Sequence, residues 1–169
     1  MRKALSGIAL AVLSLMFIIL TTGSSHAAVD DGNVDGLKIS KVGYNARGND
    51  TSFNRNYEYV EITRDDNAVA GLVIDSLWVK DQWAVNHSDS TCNRYEVKNV
   101  TLAGDVKTIR VYMGSGVDRT VSNVVYRFAD SKCGYHGHIF NNLGDTVYIT
   151  MGDDSEKVSY DFENGYYVN

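Results

Sequence analysis

The stretch Tyr57-Glu58-Tyr59-Val60-Glu61-Ile62 (YEYVEI) alternates with a period of two. In an extended chain Glu58, Val60 and Ile62 share one face, and Tyr57, Tyr59 and Glu61 share the other. The pattern repeats outward from this point. Leu37, Ile39 and Lys41 alternate with Lys38 and Ser40. Val73 to Trp83, Thr108 to Met113, Val124 to Phe128, His138 to Phe140, Thr146 to Met151 and Lys157 to Phe162 are all rich in β-branched and aromatic residues. Turn-forming groups separate the runs: Asp65-Asp66-Asn67, Ala103-Gly104-Asp105, Gly114-Ser115-Gly116, Gly152-Asp153-Asp154-Ser155 and Asn164-Gly165. No helical period or internal repeat is present after the first residues. Many short strands between regular turns predict one all-β domain, a β-sandwich or barrel.

The N-terminus reads differently. Arg2 and Lys3 precede an apolar run from Ile8 to Leu20, and Ser25-His26-Ala27 places small residues at −3 and −1 of a cleavage site before Ala28. That predicts a signal peptide over 1–27, an exported protein, and no membrane span in the mature form. Cleavage removes two cations and no acid. Lys+Arg falls from 16 to 14 against 21 Asp+Glu, a formal charge of −7. Such a surplus disfavours nucleic acid and anionic lipid as partners. Residues 28–36, containing DDGNVDG, read as a flexible acidic lead-in.

Two cysteines, Cys92 and Cys133, meet an oxidising compartment, where pairing is the default. The rival is a zinc cluster of Cys133 with His136 and His138, two positions apart on a strand. That spacing matches no recurrent zinc pattern, so the expectation is a disulfide and neither metal nor cofactor.

The candidate chemistry is sparse. Glu58 stands on the apolar face of its strand, and a catalytic role would pair it with Asp81 or Asp145. The structural role has it accept hydrogen bonds from loop amides, because a buried acid must find partners. Ser88 beside His87 has no nucleophile elbow around it. Asp65-Asp66 and Asp153-Asp154 offer calcium-type oxygens but read as solvated turns. Asn141-Asn142-Leu143-Gly144-Asp145 is expected to connect two strands, its polar side chains bonding nearby amides. Eleven tyrosines and two tryptophans exceed the needs of a core. Trp78 and Trp83 differ in parity, so both face the core only across a bulge; Trp83 is the expected surface anchor.

Several motifs in order carry a family likeness. Tyr44-Asn45-Ala46-Arg47-Gly48-Asn49-Asp50, Glu58-Tyr59-Val60-Glu61-Ile62 and Leu77-Trp78-Val79-Lys80-Asp81 come first. Leu102-Ala103-Gly104, Ile109-Arg110-Val111-Tyr112-Met113-Gly114-Ser115-Gly116 and Phe140-Asn141-Asn142-Leu143-Gly144-Asp145-Thr146 follow. Over Leu37 to Phe162 this order resembles the lamin tail domain, particularly its small secreted bacterial versions. The resemblance implies an immunoglobulin-like sandwich over 37–162, used as a binding or attachment module without catalytic residues. Phe140 stands where the family often has Trp, the Leu102-Ala103-Gly104 turn lacks the family's Pro, and 163–169 is an extension. The expected partner is another extracellular protein or cell-surface component, with a glycan second. The alternatives are a secreted hydrolase or its accessory domain, and a self-associating structural surface protein.

Overall fold

The computed structural model describes residues 34–44, 51, 53–65, 71–133, 137–141, 144–161 and 166–168. It is an all-β, immunoglobulin-like sandwich of two sheets. The strands are β1 (Leu37–Gly43), β2 (Tyr59–Arg64), β3 (Leu72–Asp81), β4 (Arg94–Leu102), β5 (Thr108–Tyr112), β6 (Arg119–Val121), β7 (Val124–Phe128), β8 (Gly144–Met151), β9 (Asp154–Asp161) and β10 (Tyr166–Val168). A 3₁₀ turn (Arg55–Tyr57) precedes β2, and a short helix α1 (Gln82–Asn86) follows β3. One sheet has six strands in the order β10-β1-β2-β5-β7-β6, and the other has four, β4-β3-β8-β9. All pairs are antiparallel except β5 with β7.

The core lies between the sheets. Ile39, Val42, Val60, Ile62, Ile109, Val111 and Val125 come from the six-stranded sheet. Ile74, Leu77, Val79, Val97, Val100, Leu102, Val147, Ile149 and Val158 come from the other. In β2 the alternation of YEYVEI survives: Val60 and Ile62 are buried, Tyr59 and Glu61 face out. β1 departs from its expected phase. A bulge between Ile39 and Lys41 shifts the register, so Val42 joins Leu37 and Ile39 inside while Lys41 turns outward.

That bulge has a counterpart across the core. The Ile39 amide donates to both carboxylate oxygens of Glu156 at 3.0 and 2.9 Å. Glu156 sits on β9 in the opposite sheet and is 3% exposed. A strand thus places an acid on its core face because a bulged amide in the facing layer needs an acceptor.

Other boundaries shift for identifiable reasons. β3 ends at Asp81, whose side chain accepts the Ala84 amide at 2.6 Å and caps α1. Neither tryptophan therefore faces the core: Trp78 lies on the outer face of β3 and Trp83 on the helix. β4, absent from the sequence reading, is hidden by Asn99 at φ 52°, which re-phases the strand so that Val97 and Val100, three apart, both point inward. The segment 138–140 is not a strand, although Ile139 and Phe140 are buried. Of the acidic lead-in, Val34 is fully buried, returned to the core by a turn through Asp35 and Gly36 with positive φ. The 163–169 extension supplies β10, which pairs with β1 through Gly43 and Tyr166. Residues 1–33, including the expected leader, lie outside the described residues.

Cys92 and Cys133 are bonded, with Cα atoms 5.3 Å apart, inside the span a disulfide requires. The bond ties the β3–β4 connection to the β7–β8 connection. The closed loop spans 41 positions, and chain entropy gives about 4 kcal/mol for a loop of that size. A Cys92→Ser/Cys133→Ser variant is expected to unfold at lower urea, by up to about 4 kcal/mol, yet still give a cooperative transition. A variant that no longer folds, or one as stable as the parent, contradicts that balance between staple and core.

Candidate functional site

The chain turns of one end bring most of the sequence-predicted residues together. Glu58, between the 3₁₀ turn and β2, is fully buried. Its Oε2 accepts the Ile139 amide at 2.8 Å, and the Phe140 amide adds to the same carboxyl. Its Oε1 lies 3.1 Å from His138 Nδ1. His138 Nε2 faces two acceptors, the Thr51 carbonyl at 2.9 Å and Asn54 Oδ1 at 3.2 Å, so it carries a hydrogen. The Glu58–His138 contact then holds one further proton, on either the carboxyl or the imidazole. Burial pushes the Glu58 pKa up, against the lowering effect of His138 and the two amides. These contacts fasten the 137–140 segment to β2 and to the 51–54 turn. His138 is therefore a buried linker and not a strand-edge residue.

Asp81 and Asp145 meet at the start of α1. Asp81 takes the Ala84 amide and the Asn93 side chain, the latter at 2.6 Å. Asp145 takes the Asn141 and Thr146 amides at 3.3 and 2.7 Å, and lies 3.4 Å from the Gln82 amide. Desolvation, with a smaller contribution from the Asp145 charge, raises the Asp81 pKa to about 6. Glu58 bonds to neither acid among these contacts. Gly144 has φ 125° and donates to the Asn141 carbonyl at 3.1 Å. Asn141, Gly144 and Asp145 are thus bonded to one another at the end of a long connection leading into β8, and the residues before them, 138–140, are not a strand. Asn142 and His136 lie outside the described residues. Among the described residues no three His, Cys, Asp or Glu side chains gather as a metal site, and the Cys133 sulfur is committed to the disulfide.

Trp83 is 42% exposed and stacks on His87 with centroids 4.2 Å apart. His87 Nδ1 is occupied by the Trp83 carbonyl at 2.9 Å, and Arg94 holds the carbonyls of Ala84, His87 and Ser88. The Ser88-His87 pair is therefore built into the helix exit. Asp153 lies in the hairpin turn between β8 and β9, and Asp154 pairs with Met151. Beside the 3₁₀ turn, Phe53, Arg55, Asn56, Gly114 and Ser115 line a hollow of about 200 Å³.

The most organised surface is one the sequence reading did not single out, the outer face of the six-stranded sheet. Register aligns its residues in rows across the strands. Gly43, Tyr59, Tyr112 and Phe128 form one row; Lys41, Glu61, Arg110, Tyr126 and Arg119 form the next; Lys38, Thr63, Thr108, Val124 and Val121 form the third. The rings pack against one another. Centroids of Tyr59 and Tyr112 are 5.7 Å apart, Tyr112 and Phe128 5.2 Å at 16°, and Tyr112 and Tyr126 6.3 Å at 6°. Backbone closes the row at both ends. A β-carbon on Gly43 would fall 2.5 Å from the Tyr59 ring, and one on Gly116 2.4 Å from the Phe128 ring. Cations fill the remaining ring faces: Arg110 lies 5.2 Å from the Tyr59 centroid, and Arg119 lies 5.0 and 5.4 Å from those of Tyr126 and Phe128. Arg110 also pairs with Glu61 through two of its nitrogens. The sequence signal was the parity of each run, but joining the rows requires knowing that β5 runs between β2 and β7.

No family model, curated protein or solved structure matches the chain. No helix among the described residues is long and apolar enough to cross a membrane.

Two outcomes check the buried acids. Glu58→Gln keeps acceptors for the Ile139 and Phe140 amides, whereas Glu58→Leu strands them at about 1–3 kcal/mol each. Urea titration is expected to find the leucine variant clearly the weaker, and equal losses would remove the carboxylate's structural role. For Asp81 the sign follows from a folded pKa near 6 above an ordinary 3.8. Its contribution is complete below the unfolded value and lost as pH rises through about 6. The parent's stability is expected to fall more between pH 4 and pH 7 than that of Asp81→Asn. Parallel pH profiles would contradict the assignment.

Proposed function

We propose that the chain is an exported, lamin-tail-like module that binds another extracellular component and catalyses no reaction. The observation that carries this reading is the outer face of the six-stranded sheet, where Tyr59, Tyr112, Tyr126 and Phe128 are interleaved with Lys41, Arg110 and Arg119. Tyrosine and arginine are the residues that dominate recognition surfaces, because they present large contact area with polar tips at low conformational cost. A β-sandwich has no structural need to stack aromatic rings on the outside of one sheet.

The acid–base groups support the same reading. Glu58 is 0% and His138 4% exposed, and their polar atoms are taken up by backbone and turn groups. A hydrolytic pair must reach its substrate, and this one is sealed behind the loops it fastens. The Cys92–Cys133 bond is compatible with an oxidising, extracellular setting.

The test uses the full chain expressed with its leader and recovered from the medium. Retention on the producing cell's surface fraction is measured beside turnover of a panel of ester, peptide and glycoside substrates. Binding without turnover is expected, with Tyr112→Ser/Arg119→Gln losing retention while its melting temperature stays near the parent's. Turnover by the parent, or undiminished retention of a folded double variant, overturns the proposal.

A further inference from the structure

We infer that the outer face of the six-stranded sheet takes a linear acidic polysaccharide, its carboxylates lying along the row Lys41, Arg110, Arg119; this rests on the binding-module reading above. The whole chain carries 21 acids against 16 Lys and Arg. In the paired rows of this face the charged side chains are Lys38, Lys41, Arg110 and Arg119, with Glu61 as the acid among them. A cationic face on an acidic protein concentrates the attraction for an anion in one place and repels it elsewhere.

Lys41, Arg110 and Arg119 stand in one register row on β1, β5 and β6, with β2 between the first two and β7 between the last two. Strands lie about 4.8 Å apart, so the residues that carry the cations repeat at about 10 Å along the backbone row across the sheet. Equal intervals along a line suit a polymer with regularly repeating charges better than the irregular charges of a folded protein.

Tyr112 lies between Tyr59 and Phe128, Tyr59 rests on Gly43, and Phe128 is flanked by Gly116 and Arg119. The ring faces are therefore consumed within the array. What remains is ring edges, which carry the positive part of the quadrupole, and phenolic hydroxyls, that of Tyr112 accepting from Arg110 Nη1 at 3.5 Å. Nucleobases need open faces to stack on, and so do neutral sugars that bind by lying flat on rings. Carboxylates need edges, hydroxyls and cations instead. Thr63 and Thr108, opposite each other in the adjacent row, add hydroxyls to match those that a uronic acid chain offers beside each carboxylate.

Glu61 gives the inference a sign that is hard to mimic. It sits in the middle of the row and occupies two nitrogens of Arg110. Removing its charge releases Nε and Nη2 of Arg110, while Nη1 stays on the Tyr112 hydroxyl at 3.5 Å, and takes an acid out of the row, so Glu61→Gln is expected to bind more tightly than the parent.

The experiment is calorimetric or biolayer titration of the secreted full chain with polygalacturonate. Dextran, polyglutamate and polyphosphate serve as neutral, acidic-peptide and phosphate arms, at low and raised salt. Polygalacturonate is expected to bind, more weakly as salt rises, and more tightly than the other three. Lys41→Gln/Arg119→Gln should lose about a hundredfold in affinity, about tenfold for each charge-assisted contact removed, with an unchanged melting temperature. Absence of polygalacturonate binding, equal binding of any other arm, a double variant as tight as the parent, or Glu61→Gln weaker than the parent overturns the inference. If the chain is still retained on the cell surface through Tyr112 and Arg119, only the polysaccharide falls. If retention is also absent, or substrate is turned over, the binding-module reading falls with it.

Discussion

Two glutamates on core-facing positions hold the sandwich in register, and the rest of the structure depends on the amides they accept. Glu156 reaches from β9 to the bulged Ile39 amide of β1. Glu58 reaches from the start of β2 to the amides of Ile139 and Phe140, in the connection leading to β8. Each carboxylate thus joins backbone belonging to the opposite layer or to the path toward it. Packing alone tolerates sliding between two sheets of Val and Ile, since hydrophobic attraction has no direction. A buried carboxylate does not tolerate sliding, because losing its donors leaves both acid and amide unsatisfied in a medium that does not solvate them.

The fold was legible where one residue decides one phase. In YEYVEI, β-propensity and alternation agree, and β2 follows them. The pattern fails where a single backbone conformation shifts it. The bulge in β1 moves Val42 inward in place of Lys41, and Asn99 at φ 52° makes Val97 and Val100 neighbours on one face. Neither event leaves a mark in composition. Asp81 is different: an acid three residues before Ala84 is an N-cap signal, and reading the run as continuous strand through Trp83 overlooked it. Glu156-Lys157-Val158 repeats the Glu58-Tyr59-Val60 arrangement, so the second buried acid was visible in the same pattern that exposed the first.

The site was less legible than the fold, for a topological reason. Tyr59, Tyr112 and Phe128 are distant in sequence and become one row only because β5 inserts between β2 and β7, antiparallel to the first and parallel to the second. Residue-by-residue reading assigned each aromatic to its own strand and left the two tryptophans as the conspicuous ones. Trp83 is indeed exposed, but its ring is stacked on His87 within one short helix. The collective property resides instead in tyrosines that look ordinary singly.

Closed end and open face divide the molecule's work. At the end, titratable groups are numerous but engaged: Glu58, His138 and Asp81 are buried and Asp145 half-buried, and they spend their hydrogen-bonding capacity on loop backbone, on one another and on the Asn54 and Asn93 side chains. That use fixes the long β3–β4 and β7–β8 connections, which the Cys92–Cys133 bond ties to each other. On the outer sheet face the polar groups are displayed at strand spacing by a rigid support, with Gly43 and Gly116 fixing the terminal rings. Rigidity matters there because side chains already ordered by stacking lose less entropy when a partner arrives. The engaged acids therefore serve the face indirectly, by holding still the sheet that presents it.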